Sequence, residues 1–141
     1  MANPRFKRST NVVYDFGDKS STQGIILTNP IQSLVKNIYL ASTVDNASKA
    51  ISIIGPYGTG KSTGLLFALK YFSNKLPHDQ EQELIQFHTA EEPLGTVKGK
   101  KITPQKYYHP CILLGTRDTL NSAIVSELKA VGNTLGLKLR K

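Results

Sequence analysis

Eight residues near the middle of the chain, Gly55-Pro56-Tyr57-Gly58-Thr59-Gly60-Lys61-Ser62, constrain its folding more than any other stretch. They fit the pattern G-x-x-x-x-G-K-[ST] in full, and the flanks fit as well. Before them, Ala50-Ile51-Ser52-Ile53-Ile54 is short, β-branched and stopped by a glycine, which reads as a buried strand. After them, Leu65, Leu66, Leu69 and Phe72 recur at helical spacing, so residues 61–72 read as a helix. Gly55, Gly58 and Gly60 let the backbone turn tightly and approach a ligand without a side chain in the way. Successive N–H groups can then face an anion, and the start of the next helix adds positive dipole. Lys61 supplies a mobile cation for β- and γ-phosphates, and Ser62 a hydroxyl for Mg²⁺. Thr63 is placed to donate to a phosphate oxygen. The competing reading is a glycine-rich turn closed by a lysine.

The rest of the chain organises around that loop. Residues 1–24 are polar, with Pro4, Gly17 and Gly24, and read as an extended or partly ordered lead-in. Gly24-Ile25-Ile26-Leu27 reads as a strand or the edge of the core. Thr28-Asn29-Pro30 marks a helix start, because a capping residue precedes a proline at the first turn. Ile31, Leu34, Val35, Ile38 and Tyr39 then form one apolar stripe, predicting a helix over residues 30–42. Residues 79–88 read as a further helix, acidic at its start. Residues 91–110, with three prolines and two glycines, read as a loop made basic by Lys98, Lys100, Lys101 and Lys106. Cys111-Ile112-Leu113-Leu114 before Gly115 reads as a second buried strand, with Cys111 packing as a small hydrophobe. Thr116 or Asp118 would then cap a helix carrying Leu120, Ile124, Leu128, Val131 and Leu135. Strands separated by helices imply parallel pairing and an α/β layered fold.

At Gly55-Pro56-Tyr57-Gly58-Thr59-Gly60-Lys61-Ser62-Thr63 the chain resembles the P-loop NTPases. That resemblance implies a three-layer α/β fold with a mainly parallel sheet, and binding of a nucleoside triphosphate with Mg²⁺. No N-K-x-D base-reading pattern occurs, so ATP is favoured over GTP. A looser likeness spans roughly residues 25–135. An apolar helix, the loop, then a strand ending in Gly115-Thr116-Arg117 before a long helix look like the N-terminal part of large bacterial ATPases of the AAA+/STAND type. On this reading residues 25–141 form a partial P-loop nucleotide-binding domain. The whole protein would couple ATP hydrolysis to work on nucleic acid or a partner protein, alone or as an oligomer. A non-hydrolysing nucleotide-binding regulatory module and a small P-loop kinase are the alternatives. Arg117 and Arg140 are the only arginines after the loop, which argues against a kinase lid.

One departure from the family stands out. Hydrolysing P-loop proteins place an Asp at the end of an apolar strand to hold Mg²⁺ and prepare water. Here Gly115-Thr116-Arg117 follows the second strand, and Asp118 reads as a helix cap rather than a magnesium ligand. The sequence reads as the front portion of a longer protein, and this chain alone is expected to turn over little ATP.

Composition narrows the remaining classes. Hydrophobic residues make up 39% and charged residues 20%, which excludes wholesale disorder. One cysteine excludes an internal disulfide framework and a cysteine-rich zinc site. Apolar runs of four or five residues fall far short of the ~20 that span a membrane. No apolar segment follows the basic N-terminus, so a reduced cytoplasmic protein is expected. The formal charge of +8 concentrates at the two ends. Residues 1–49 carry six Lys/Arg against three acids, and residues 91–141 nine against four. Lys98 to Lys106 beside Tyr107 and Tyr108 could hold nucleic-acid phosphates and stack bases, or form a solvated loop. Tyr57 could touch a base or a neighbouring subunit, or stand in solvent. Arg117 could sense a γ-phosphate, or be an exposed residue at a helix start. Asp15-Phe16-Gly17 spells a kinase magnesium motif, but no catalytic-loop Asp precedes it, and it reads as coincidence. His78, His88 and His109 are scattered, without acids at ligand spacing.

Overall fold

The computed structural model describes residues 9–90, 107–115 and 119–137. The chain divides into two compact units, Met1–Tyr107 and Tyr108–Lys141.

In the first unit, α1 (Val12–Gly17), α2 (Asn29–Thr43), α3 (Lys61–Phe72) and α4 (His78–Ala90) follow one another. Helix α3 is the centre, with both α1 and α2 packed on it. The α2 stripe does what its spacing predicts: Ile31, Val35 and Tyr39 are buried, and Leu34 and Ile38 pack beside them. From α3, Phe67, Ala68, Tyr71 and Phe72 meet that stripe, and Leu84 of α4 joins the same core. Each large side chain buried this way contributes about 1.5–3 kcal/mol relative to exposure. Tyr71 and Phe72 meet edge to face at 5.1 Å. Burial, with the Glu81 carboxylate adding to it, pushes the Tyr71 phenol above its ordinary value. Pro30 sits in the first turn of α2, where its missing N–H costs nothing. At the far end Lys49 Nζ donates to the carbonyls of Ala41 (2.7 Å) and Val44 (2.8 Å), a cation placed where the helix dipole favours one.

Within the polar lead-in, residues 12–17 form the short helix α1. Asn11 caps α1 by accepting from Tyr14 N, and Asp15 Oδ2 accepts from Asn11 N at 2.7 Å, so cap and carboxylate satisfy each other. The segment is then fastened to α3 and α4. Thr10 and Thr63 share a hydroxyl hydrogen bond of 2.8 Å. Buried Lys70 donates to the Asp18 carbonyl. Lys75 Nζ lies 4.1 Å from the centre of the Phe16 ring. Gln80 Nε2 donates to the Thr22 carbonyl at 2.6 Å.

The second unit holds α5 (Leu120–Thr134). Its N-cap is Thr119, where Thr116 or Asp118 was expected, and Thr119 Oγ1 accepts from Ser122 N at 3.4 Å. Residues 116–118 lie outside the described residues. At the other end Gly136 takes a φ of +68, and Leu137 N donates to the Gly132 carbonyl at 2.9 Å. That is the left-handed glycine stop of a Schellman ending.

The α/β fold with a mainly parallel sheet is overturned. Among the described residues there is no strand, and every regular element is a helix. Residues 50–54 run without regular structure, with Ile51, Ile53 and Ile54 exposed. Residues 111–114 do the same, with Leu113, Leu114 and Cys111 exposed, so Cys111 does not pack as a buried hydrophobe. At 24–27 Leu27 enters the core and Ile25 packs beside it, while Ile26 is exposed, again without a strand. The physical reason is shared by all three segments. A helix satisfies its hydrogen bonds within itself, whereas a strand exists only beside another strand. Among the described residues no helix is long and apolar enough to cross a membrane.

Candidate functional site

Loop 55–60 runs into the first turn of α3. Gly58 and Gly60 adopt φ of +82 and +77, a left-handed conformation that side chains resist. Gly60 is the N-cap of α3 and brings no side chain to its amides. The first hydrogen bond of the helix is Gly64 N to the Gly60 carbonyl, at 2.8 Å. The amides ahead of Gly64 therefore begin a helix without intrahelical partners, next to the positive end of its dipole.

The loop is closed on itself by polar contacts. Lys61 Nζ donates to the Gly55 carbonyl at 2.7 Å and to the Pro56 carbonyl. Thr59 Oγ1 also donates to the Pro56 carbonyl, at 2.9 Å. A Cβ on Gly55 would stand 3.3 Å from Thr59 Oγ1, so the loop's own closure favours glycine there. Lys61 thus acts as a clasp across the loop mouth, on a flexible stem that can redirect its ammonium to an anion.

The loop faces a cleft of about 810 Å³, within the size range of small-molecule sites. One wall is Tyr57, Gly58, Gly60, Lys61, Ser62 and Thr63. The N-terminal segment also lines it, with Thr10, Asp15, Asp18, Ser20 and Ser21. Of the residues singled out in the sequence, Ser62 is exposed to the cleft, and Tyr57 is 99% exposed. The Thr63 hydroxyl is shared with Thr10. Gly55, Pro56 and Thr59 shape the loop without lining the cleft.

Asp15, Asp18 and Thr10 escape the sequence reading. Asp15 is buried and Asp18 exposed, with Asp18 Oδ1 accepting from both Ser20 N and Ser20 Oγ. Behind them lies Lys70. Burial holds its ammonium below the ordinary lysine value, the Asp18 and Asp15 carboxylates oppose that shift, and Lys75 adds to it. The Asn11 cap, three residues before Tyr14, was the signal in the sequence that a helix and its carboxylate start here.

The other candidates are not brought to this cleft by anything described. Lys98, Lys100, Lys101, Lys106, Arg117 and Asp118 lie outside the described residues. Tyr107 and Tyr108 are exposed. His78 stands 3.8 Å from Glu81 on α4. Among the described residues no three His, Cys, Asp or Glu side chains group as a metal site. A scan against protein-family models, a search of curated proteins and a search of solved structures each returned no match.

Proposed function

We propose that the cleft binds a nucleoside triphosphate, ATP, by its phosphates. The observation that carries this reading is the helix start itself. Two left-handed glycines deliver an uncapped first turn of α3 to a cleft that Lys61 and Ser62 also line. Unpartnered amides, a helix dipole and an ammonium on one wall form an anion cradle. The residues present fit the group: Lys61 would meet the outer phosphates and Ser62 would supply a hydroxyl to Mg²⁺. ATP rather than GTP follows from the lack of an N-K-x-D pattern in the sequence. Binding, not turnover, is the proposed activity of this chain. The carboxylate that prepares water in hydrolysing relatives of the motif ends a strand, and no strand occurs among the described residues.

The test is a titration of a fluorescent ATP analogue with Mg²⁺ against the chain and against Lys61→Ala. Circular dichroism verifies that both keep their helices. Losing a charge-assisted contact of about 1.5–3 kcal/mol weakens binding by roughly tenfold or more. Equal binding by the two proteins would overturn the reading.

A further inference from the structure

None of residues 9–24 joins the apolar core of the first unit. The two side chains that this segment buries, Asp15 and Thr22, are both polar. Against it stand two further buried polar side chains. Lys70 donates to the Asp18 carbonyl, and Gln80 Nε2 donates to the Thr22 carbonyl at 2.6 Å. Hydrogen bonds of this kind replace bonds to water, so each adds little net stability. Three features of the same seat oppose it. Burial disfavours the charged form of Lys70. Thr22 Oγ1 and Gln80 Oε1 are buried without a hydrogen-bond partner among the described residues, so each has given up water for no return. Lifting the segment would give all three groups back to solvent.

The core does not need the segment, because α2, α3 and α4 build it between them with Leu27. The chain also has a pivot. Gly24 takes a φ of +71, three residues before Leu27 is fixed in the core. Helix α1 has six residues, too few to persist away from α3, so lifting the segment also melts α1. The same segment lines the cleft, and the Thr10–Thr63 hydrogen bond of 2.8 Å joins it to the first turn of α3. A group that fills the cleft touches segment and loop together, and so favours the seated state over the lifted one.

We propose that residues 9–24 form a strap that lifts from α3 as one unit about Gly24, and that occupation of the cleft holds the strap down. The lifting stands on packing alone. The coupling rests on the proposed nucleotide reading and names its regulation.

The test is amide hydrogen exchange at Asp15, Ser21 and Gln23, whose N–H groups are bonded within the strap, compared with Val35 and Tyr39 of α2. The strap amides should share one opening and be roughly tenfold or more less protected than the α2 pair. Thr22→Val puts a methyl where the orphaned hydroxyl stands, and should slow strap exchange about threefold or more. Thr10→Val removes the bond to Thr63 and should speed it. Saturating pyrophosphate with Mg²⁺ should slow strap exchange roughly tenfold in the natural chain, and not in Lys61→Ala. If the strap amides are as protected as Val35 and Tyr39, or if neither threonine variant shifts them, there is no strap and the inference falls, whatever the cleft binds. If pyrophosphate slows Val35 and Tyr39 but leaves the strap amides unchanged, the cleft fills without the strap. The coupling then falls while the nucleotide reading stands. If pyrophosphate and the fluorescent ATP analogue both leave every amide unchanged, the nucleotide reading fails and the coupling falls with it.

Discussion

Helices α2 and α5 are both fifteen residues long, and both repeat apolar residues every third or fourth position. In α2 that stripe is covered: Val35 is 0% exposed and Tyr39 8%. In α5 Leu120 is 69% exposed and Leu128 50%, and Gly132 is its only buried residue. Periodicity therefore fixes that a helix has an apolar face. It does not fix what lies against that face. Helix α2 meets α3, whose Phe67, Ala68, Tyr71 and Phe72 are spaced to receive it. Helix α5 is held by its ends instead, through the Thr119 cap and the Gly136 stop. Among the described residues α2 is supported by packing and α5 by contacts at its ends, so the two should answer differently to the same kinds of substitution.

The largest effect is expected in the packed unit. Phe67→Ala removes a fully buried ring from between α2 and α3, and should cost about 3–5 kcal/mol. Urea denaturation followed by tyrosine fluorescence would reveal it, and a loss below ~1 kcal/mol would break the contrast between the two helices. Next comes the cap of α5. Thr119→Ala removes the oxygen that accepts from Ser122 N, worth about 1 kcal/mol of local helix stability. Hydrogen exchange of amides in residues 120–124 should speed up, while amides of α2 stay protected. The smallest change belongs to the exposed stripe. Leu128→Ala replaces a half-exposed leucine with the best helix former, and should shift stability by no more than ~0.5 kcal/mol in either direction. A loss of several kcal/mol on denaturation would mean that the stripe is covered after all.

The same contrast explains what the sequence could and could not tell. Helices over 30–42 and 61–72 were readable because the spacing of Ile31, Val35 and Tyr39, and of Leu65, Leu66, Leu69 and Phe72 on the facing helix, carries its own periodic signature. The β-branched run at 50–54 reads as a strand by composition alone, since side-chain preference is local while strand pairing is not. With no neighbouring strand among the described residues, Ile54 is left 89% exposed. In the candidate site, the loop half was readable because each glycine has a backbone reason. The N-terminal half was hidden. Asp15 spells part of a kinase motif that has no meaning here, and its actual setting depends on Asn11, Thr63 and Lys70, which are four to fifty-five residues away in the chain. Only the packing of α1 on α3 brings them together.

The burial of Lys70 gives the N-terminal wall a built-in clock. Its amine is 1% exposed beneath the segment whose carbonyl it holds, whereas Lys19 in that same segment lies open to solvent. An acylating reagent consumes Lys19 at the pace of the chemistry, but it reaches Lys70 only in the moments when the segment has lifted. Where the segment recloses faster than the reagent reacts, the quotient of the two rates reports how often Lys70 is uncovered.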